Sequence, residues 1–123
     1  RQGHDVVMSP TTHCYFDYYQ SENRDEAPPA IGGFLPLERV YAFEPVPEVL
    51  SPEEARHVVG AEGALWTEYI QTPELLEYMA FPRATALAEV VWSSPEMRNY
   101  SDFLQRLVAM NRRLRALGVN FWE

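Results

Sequence analysis

Two pairs of side chains in this sequence place an aromatic ring two residues before a carboxylate. Trp66 and Glu68 form one pair, and Tyr15 and Asp17 form the other. In an extended chain, residues i and i+2 point to the same face, so each pair would present a ring beside a hydrogen-bond acceptor. A sugar, with its apolar C–H face and its rim of hydroxyl groups, suits such a surface. The alternative is structural, with Tyr15 in the core and Asp17 as a helix cap or salt-bridge partner.

Two apolar runs predict the strands that would position these pairs. Residues 5–9 predict a short buried strand, bounded by Gly3 and Pro10. Residues 61–69 predict a second strand, which would carry Trp66 and Glu68. Tyr15 and Asp17 come just after the first strand, and ligands of parallel α/β folds bind at the carboxyl ends of strands.

Cap signals predict most of the helices. Ser51 followed by proline and glutamate begins a short helix that stops by Gly60, and Thr72 begins a helix that Pro82 breaks. Residues 21–33 are expected to form a loop, and residues 37–43 one or two helical turns. Two further helices are expected at 82–92 and from Ser101 to Gly118, with these apolar faces: Ala84, Leu87, Ala88 and Val91; Phe103, Leu107, Met110, Leu114 and Leu117.

The order strand, helix, strand, helix, helix predicts an α/β architecture with parallel pairing. Two strands alone make a poor parallel sheet, because such sheets are covered on both faces and need more strands. We therefore expect residues 1–123 to be one segment of a larger sheet or barrel, with no internal repeat or domain boundary. Its uncovered edges and apolar faces offer a route to self-association.

Composition excludes several classes of function. Eighteen acidic residues against ten basic ones give a net charge of −8, which opposes binding to nucleic acid or to an anionic membrane surface. We find no apolar stretch of membrane-spanning length. The late arginines are interpreted as the solvated face of a helix. The lone Cys14 has neither a disulfide partner nor the companions of a metal site, and it leaves the compartment open, a secreted or periplasmic parent protein included.

Three motifs, in matching order and spacing, carry a resemblance to a known family. They are SP…YFD at residues 9–17, GAEGALWTE at 60–68, and YMAFPR with ALAE at 78–89, followed by Trp92-Ser93. Nearly the whole chain resembles the C-terminal part of the family-20 glycoside hydrolases, the β-N-acetylhexosaminidases. Glu62 departs from the pattern, since many relatives have glutamine there.

The resemblance implies a (β/α)8 TIM barrel, of which this chain would supply the seventh and eighth strands and the closing helices. A full barrel needs about 250 residues. The implied reaction is hydrolysis of terminal N-acetyl-hexosamine residues without a metal or organic cofactor. Tyr15 would hold the acetamido oxygen of the substrate, Asp17 and Glu68 would accept bonds from outer hydroxyls, and Trp66 would wall the pocket.

The acid/base Asp-Glu pair of the family follows the fourth strand, upstream of Tyr15. The one Asp-Glu dipeptide here, Asp25-Glu26, lies downstream and in a loop, so we expect no catalytic residue in this chain and no activity from it alone. The alternative is a non-catalytic sugar-binding or assembly module derived from a barrel.

The remaining candidates receive structural interpretations. His13 and Cys14 adjoin the site without a defined dyad, and Tyr78 and Trp92 are expected in the core. Arg83 is expected to pair with Glu89 or with the barrel rim, without a role in binding substrate.

Overall fold

The computed structural model describes residues 2–123. The regular elements of that part of the chain are a two-stranded sheet and six α-helices. In order they are β1 (Val6–Met8), α1 (Thr11–Cys14), α2 (Leu37–Tyr41), α3 (Pro52–Ala55), β2 (Val58–Ala61), α4 (Pro73–Ala80), α5 (Arg83–Trp92) and α6 (Tyr100–Ala116), with a 3₁₀ turn at Pro95–Met97 before α6.

The two strands pair in parallel, as the sequence predicts. Met8 lies beside Ala61, and the register shifts once between Val6 and Val7. The pairing resumes beyond α1, where Tyr15 forms an isolated parallel bridge with Ala64. The segments that follow the two strands therefore run side by side.

The predicted bounds of the second strand are wrong. β2 spans Val58–Ala61, whereas the sequence predicts a strand over residues 61–69. Val58, Gly60 and Ala61 pair with β1, and Val59 is skipped at the register shift. Residues 67–70 instead close a turn, in which the Ile70 N–H donates to the Thr67 carbonyl at 3.2 Å.

β1 is also more exposed than predicted. Val6 and Val7 keep 41% and 50% of their surface open, and Val59 of β2 keeps 60%. Parallel sheets are normally covered on both faces. The two strands and the helices of this segment provide only part of that cover.

The core lies between the helices and the segment that follows β1. α5 packs on α2, and α6 adds aromatic and aliphatic side chains to the same cluster. The buried members are Cys14, Phe16, Leu35, Leu37, Val40, Tyr41, Phe43, Ala86, Leu87, Val90, Phe103 and Leu107.

The helix boundaries follow the cap signals. Ser51 and Glu54 form the reciprocal capping box at the start of α3, and the Thr72 hydroxyl accepts the Leu75 N–H at the start of α4. Gly118 follows α6 with φ +75°, a left-handed conformation that glycine adopts without strain. These predictions are confirmed.

The predicted apolar face of α5 is only partly right. Leu87 is buried, but the stripe that faces the core continues through Ala86 and Val90, while Val91 is 39% exposed. Trp92, expected in the core, is 89% exposed, and Tyr78 is half-buried. Apolar residues surround most of α5, a pattern typical of a helix covered on more than one side. On α6, Leu117 was expected on the core face and is 78% exposed.

A hydrogen-bonded network attaches α6 to α5 and α2. Arg106 donates to both oxygens of Glu89, at 2.5 and 2.8 Å, and the Tyr41 hydroxyl donates to the same carboxylate at 2.8 Å. The bond from Arg106 is the main reason why the pKa of Glu89 lies below its ordinary value. The predicted pairing of Arg83 with Glu89 is therefore wrong.

Candidate functional site

All four predicted site residues line one cavity of about 370 Å³. The cavity lies where the segments that follow β1 and β2 run side by side. Its lining consists of Tyr15, Asp17, Tyr18, Ile31, Gly32, Gly33, Trp66 and Glu68. The structure thus brings both aromatic–carboxylate pairs together and adds a third wall from the loop of residues 31–33.

Backbone hydrogen bonds hold the first two walls in register. The Phe16 N–H donates to the Ala64 carbonyl at 2.7 Å, and the Ala64 N–H donates to the Cys14 carbonyl at 2.8 Å. Gly63 permits this close approach, because a Cβ at that position would lie 2.4 Å from the Phe16 ring. The glycine before Ala64 therefore allows the Phe16 ring to pack beneath the site.

Asp17 is the buried acceptor of the cavity. Asp17 is only 3% exposed, and its Oδ1 has no hydrogen-bond partner within residues 2–123. Burial raises the pKa of this carboxyl above its ordinary value; the charge of Glu68 raises it further, and the Arg83 guanidinium opposes the rise. A buried oxygen without a donor is costly, and a ligand hydroxyl would satisfy it.

The second wall is open to solvent. Trp66 is 55% exposed, and Glu68 is also exposed. Both residues lie in the irregular segment after β2, so the strand geometry used to place them on one face does not apply. They nevertheless line the same cavity, where an aromatic plane and a carboxylate can receive a sugar from the solvent side.

Sequence reasoning missed the importance of Arg83. Its side chain is fully buried, and it donates hydrogen bonds to four backbone carbonyls, those of Phe16, Tyr18, Leu35 and Met79. Burial lowers its pKa to about 9, so it stays protonated at neutral pH. The signal available in the sequence is its spacing, since Arg83 begins the i, i+3, i+4, i+7 stripe that Ala86, Leu87 and Val90 continue.

The other sequence candidates lie outside the cavity lining. Asp25 and Glu26 are exposed, and Glu26 lines a separate cavity of about 140 Å³. His13 stacks on Phe43 with ring centroids 5.2 Å apart. Burial raises the pKa of the Cys14 thiol to about 11, which disfavours the reactive thiolate.

The described part of the chain holds neither a metal-binding cluster nor a membrane-spanning helix. Residues 2–123 contain no group of three or more His, Cys, Asp or Glu side chains arranged to hold a metal ion. No helix within them is both long and apolar enough to cross a membrane.

Comparison with known proteins assigns the class of the chain. Residues 1–95 match the catalytic domain of glycosyl hydrolase family 20. A β-hexosaminidase of Porphyromonas gingivalis is 42% identical over 119 residues, which are 96% of this chain and 15% of that protein. The exo β-N-acetylglucosaminidase of Vibrio harveyi, solved in complex with N-acetylglucosamine, matches all of this chain and 19% of its own, with 38% identity and a TM-score of 0.86. An N-acetyl-β-hexosaminidase of Streptomyces plicatus matches 97% of this chain and 23% of its own, with 30% identity and a TM-score of 0.83.

Chains of this class are glycosidases built on a TIM-barrel catalytic domain, of which the present fold is a portion. The chain belongs to glycoside hydrolase family 20. It spans between 15% and 23% of the length of the relatives named above.

Proposed function

We propose that residues 1–123 form the C-terminal portion of the catalytic barrel of a β-N-acetylhexosaminidase, comprising its last two βα units and closing helices. The parallel pairing of β1 with β2, the exposed valines of both strands and the apolar surround of α5 support this placement. Each is expected where further strands of one barrel continue the sheet. The same exposed edges give the isolated chain a surface for self-association.

The observation that carries the proposal is the cavity that joins Tyr15, Asp17, Trp66 and Glu68. Tyr15 would donate to the acetamido oxygen of an N-acetyl-hexosaminide and fix it for attack. Asp17 and Glu68 would accept hydrogen bonds from outer hydroxyls, and Trp66 would stack against the sugar ring. The Oδ1 of Asp17 supports its assigned role, because no donor within residues 2–123 satisfies this buried acceptor.

The proposed reaction is substrate-assisted hydrolysis with retention of configuration. The acetamido oxygen attacks the anomeric carbon, the bond to the leaving oxygen breaks, and a carboxylic acid protonates that oxygen. Water then opens the cyclic intermediate. In this chain the site provides groups that bind and orient substrate, and we assign the acid/base pair to strands outside residues 1–123. Asp25 and Glu26 are poor candidates for that pair, since neither lines the cavity.

The test compares the 123-residue chain with the complete catalytic domain that contains it. The complete domain should release nitrophenol from nitrophenyl N-acetylglucosaminide, and the chain alone should not. Activity of the chain alone that is lost on Glu26→Gln would contradict the assignment of the acid/base pair.

A binding measurement distinguishes an enzyme from a domain that only binds the sugar. Calorimetry of the complete domain with N-acetylglucosamine should detect binding that Trp66→Ala removes. Trp92→Ala is the matched control, because Trp92 is 89% exposed and lines other cavities. A complete domain that binds the sugar but hydrolyses no N-acetyl-hexosaminide would favour the non-catalytic sugar-binding module.

A further inference from the structure

Arg83 lies behind the cavity without lining it. Its guanidinium donates to the Phe16 carbonyl through Nη2 and to the Tyr18 carbonyl through Nη1, the latter at 3.0 Å. These two carbonyls belong to the residues on either side of Asp17. One rigid side chain therefore holds the backbone at both ends of the site's buried carboxylate.

The same guanidinium also attaches the third wall of the pocket and α4. Nη1 also donates to the Leu35 carbonyl at 3.2 Å, just beyond the loop that forms the third wall, and Nη2 donates to the Met79 carbonyl in α4 at 2.7 Å. That wall is closely fitted, because Gly33 has φ +67° and a Cβ there would lie 2.4 Å from the Tyr18 ring. A displacement of either segment would change the shape of the cavity.

All four acceptors are neutral carbonyls, so within residues 2–123 no hydrogen-bonded carboxylate neutralises the buried charge of Arg83. Asp17 and the Tyr78 hydroxyl are the titratable groups that favour its charged form, and Glu68 is the other charged group that acts on Asp17. A buried charge stabilises a fold poorly compared with an apolar side chain of similar size. The planar fork of the Arg83 guanidinium, in contrast, sets the position of four peptide groups at once.

We propose that Arg83 is a positioning residue of the sugar pocket, which fixes the backbone on both sides of Asp17 and so sets where its carboxylate meets the ligand. The inference rests on the proposed function, since the ligand is the sugar assigned there. Because Arg83 does not line the cavity, it would act on the ligand through this backbone and not by direct contact.

The first test is kinetic and uses the complete catalytic domain. Arg83→Lys keeps the charge but loses the planar fork, so we expect KM to rise by about 10- to 100-fold, the range of a misplacement approaching 1 Å. The loss should fall mainly on KM, because Asp17 holds a hydroxyl in the ground state and the transition state alike. Arg106→Lys is the matched control, since Arg106 also holds two elements together but lies on α6 away from the cavity. An equal KM for the two variants would overturn the proposal.

The second test does not depend on activity. Amide hydrogen exchange at residues 16–19 and 33–35 should be faster in Arg83→Lys than in the unmodified protein, at conditions of equal global stability, and unchanged in Arg106→Lys. Unchanged exchange in Arg83→Lys would refute the proposal even if the domain proved to have no hexosaminidase activity, an outcome that would refute the proposed function separately.

A purely structural arginine makes a different prediction. If Arg83→Lys and the uncharged Arg83→Gln both fail to fold while Arg106→Lys folds, the side chain serves the core and the positioning role is refuted. Folded variants with a raised KM and faster local exchange support it.

Discussion

Replacing Asp17 with asparagine should weaken sugar binding and stabilise the protein at the same time. The substitution keeps the size of the side chain and removes its charge. A hydrogen bond from a ligand hydroxyl to a buried carboxylate contributes about 1.5–3 kcal/mol, against about 0.5–1.5 kcal/mol for a bond to the neutral amide oxygen that replaces it. The difference of about 1–1.5 kcal/mol corresponds to a loss of about 5- to 13-fold in affinity. Inhibition of the complete domain by N-acetylglucosamine measures this loss.

The effect on stability has the opposite sign. Burial raises the pKa of Asp17 above its ordinary value of 3.8, so the folded state holds a proton more tightly than the unfolded state. Protonation therefore favours folding below the unfolded pKa, and that contribution is lost as pH rises through the folded pKa. Asp17→Asn should raise the free energy of unfolding at neutral pH, with the gain vanishing at strongly acidic pH.

Urea unfolding at several pH values, with exposed Asp25→Asn as the matched control, tests this expectation. An Asp17→Asn variant that binds N-acetylglucosamine as tightly as the unmodified protein would refute the assignment of Asp17 as the hydroxyl acceptor. A variant that is less stable at neutral pH would refute the reasoning from burial.

Two further predictions concern the framework around the site. Gly63→Ala should destabilise the fold by about 1–3 kcal/mol, because its new Cβ would lie 2.4 Å from the Phe16 ring; Gly60→Ala, with no atom within 4 Å, is the control in urea unfolding. Glu89→Gln should lower stability at neutral pH and lose its effect in acid, since the depressed pKa of Glu89 gives stability that is present above its unfolded pKa of about 4.5 and disappears as pH falls through the folded value. Thermal unfolding from pH 3 to 7 measures this loss of stability. A loss that does not depend on pH would contradict the role of the Glu89 charge.

Local signals predicted most helix boundaries, because caps and helix breakers act within a few residues of the chain. Ser51, Thr72 and Gly118 each occupy the terminal position expected of them. Both predicted bounds of β2 are wrong, since strand bounds depend on a partner elsewhere in the sequence. β2 pairs over Val58–Ala61, and beyond it an isolated bridge joins Ala64 to Tyr15. The face of α5 was ambiguous for a similar reason, as its apolar residues cover most of its circumference.

The residues of the candidate site were predictable, whereas their support was not. The chemistry of the Trp66 and Asp17 side chains can be inferred from the residue types and their spacing in the sequence. Arg83 acts through backbone carbonyls, which every residue possesses, so its partners leave no trace in the sequence. Only its place on an otherwise apolar stripe distinguishes it from a solvated arginine.

The last helix bears on where this domain should be cut. The family match ends at residue 95, yet Phe103 and Leu107 of α6 are buried in the core, and the Phe103 ring stacks on Tyr41 with centroids 4.7 Å apart. A truncation at the limit of the match would uncover Tyr41 and leave Glu89 without Arg106. The recognisable signature is therefore shorter than the packed unit. A boundary for expression belongs beyond Phe121, which is buried, and Trp122, whose N–H donates to the Phe81 carbonyl at 3.2 Å.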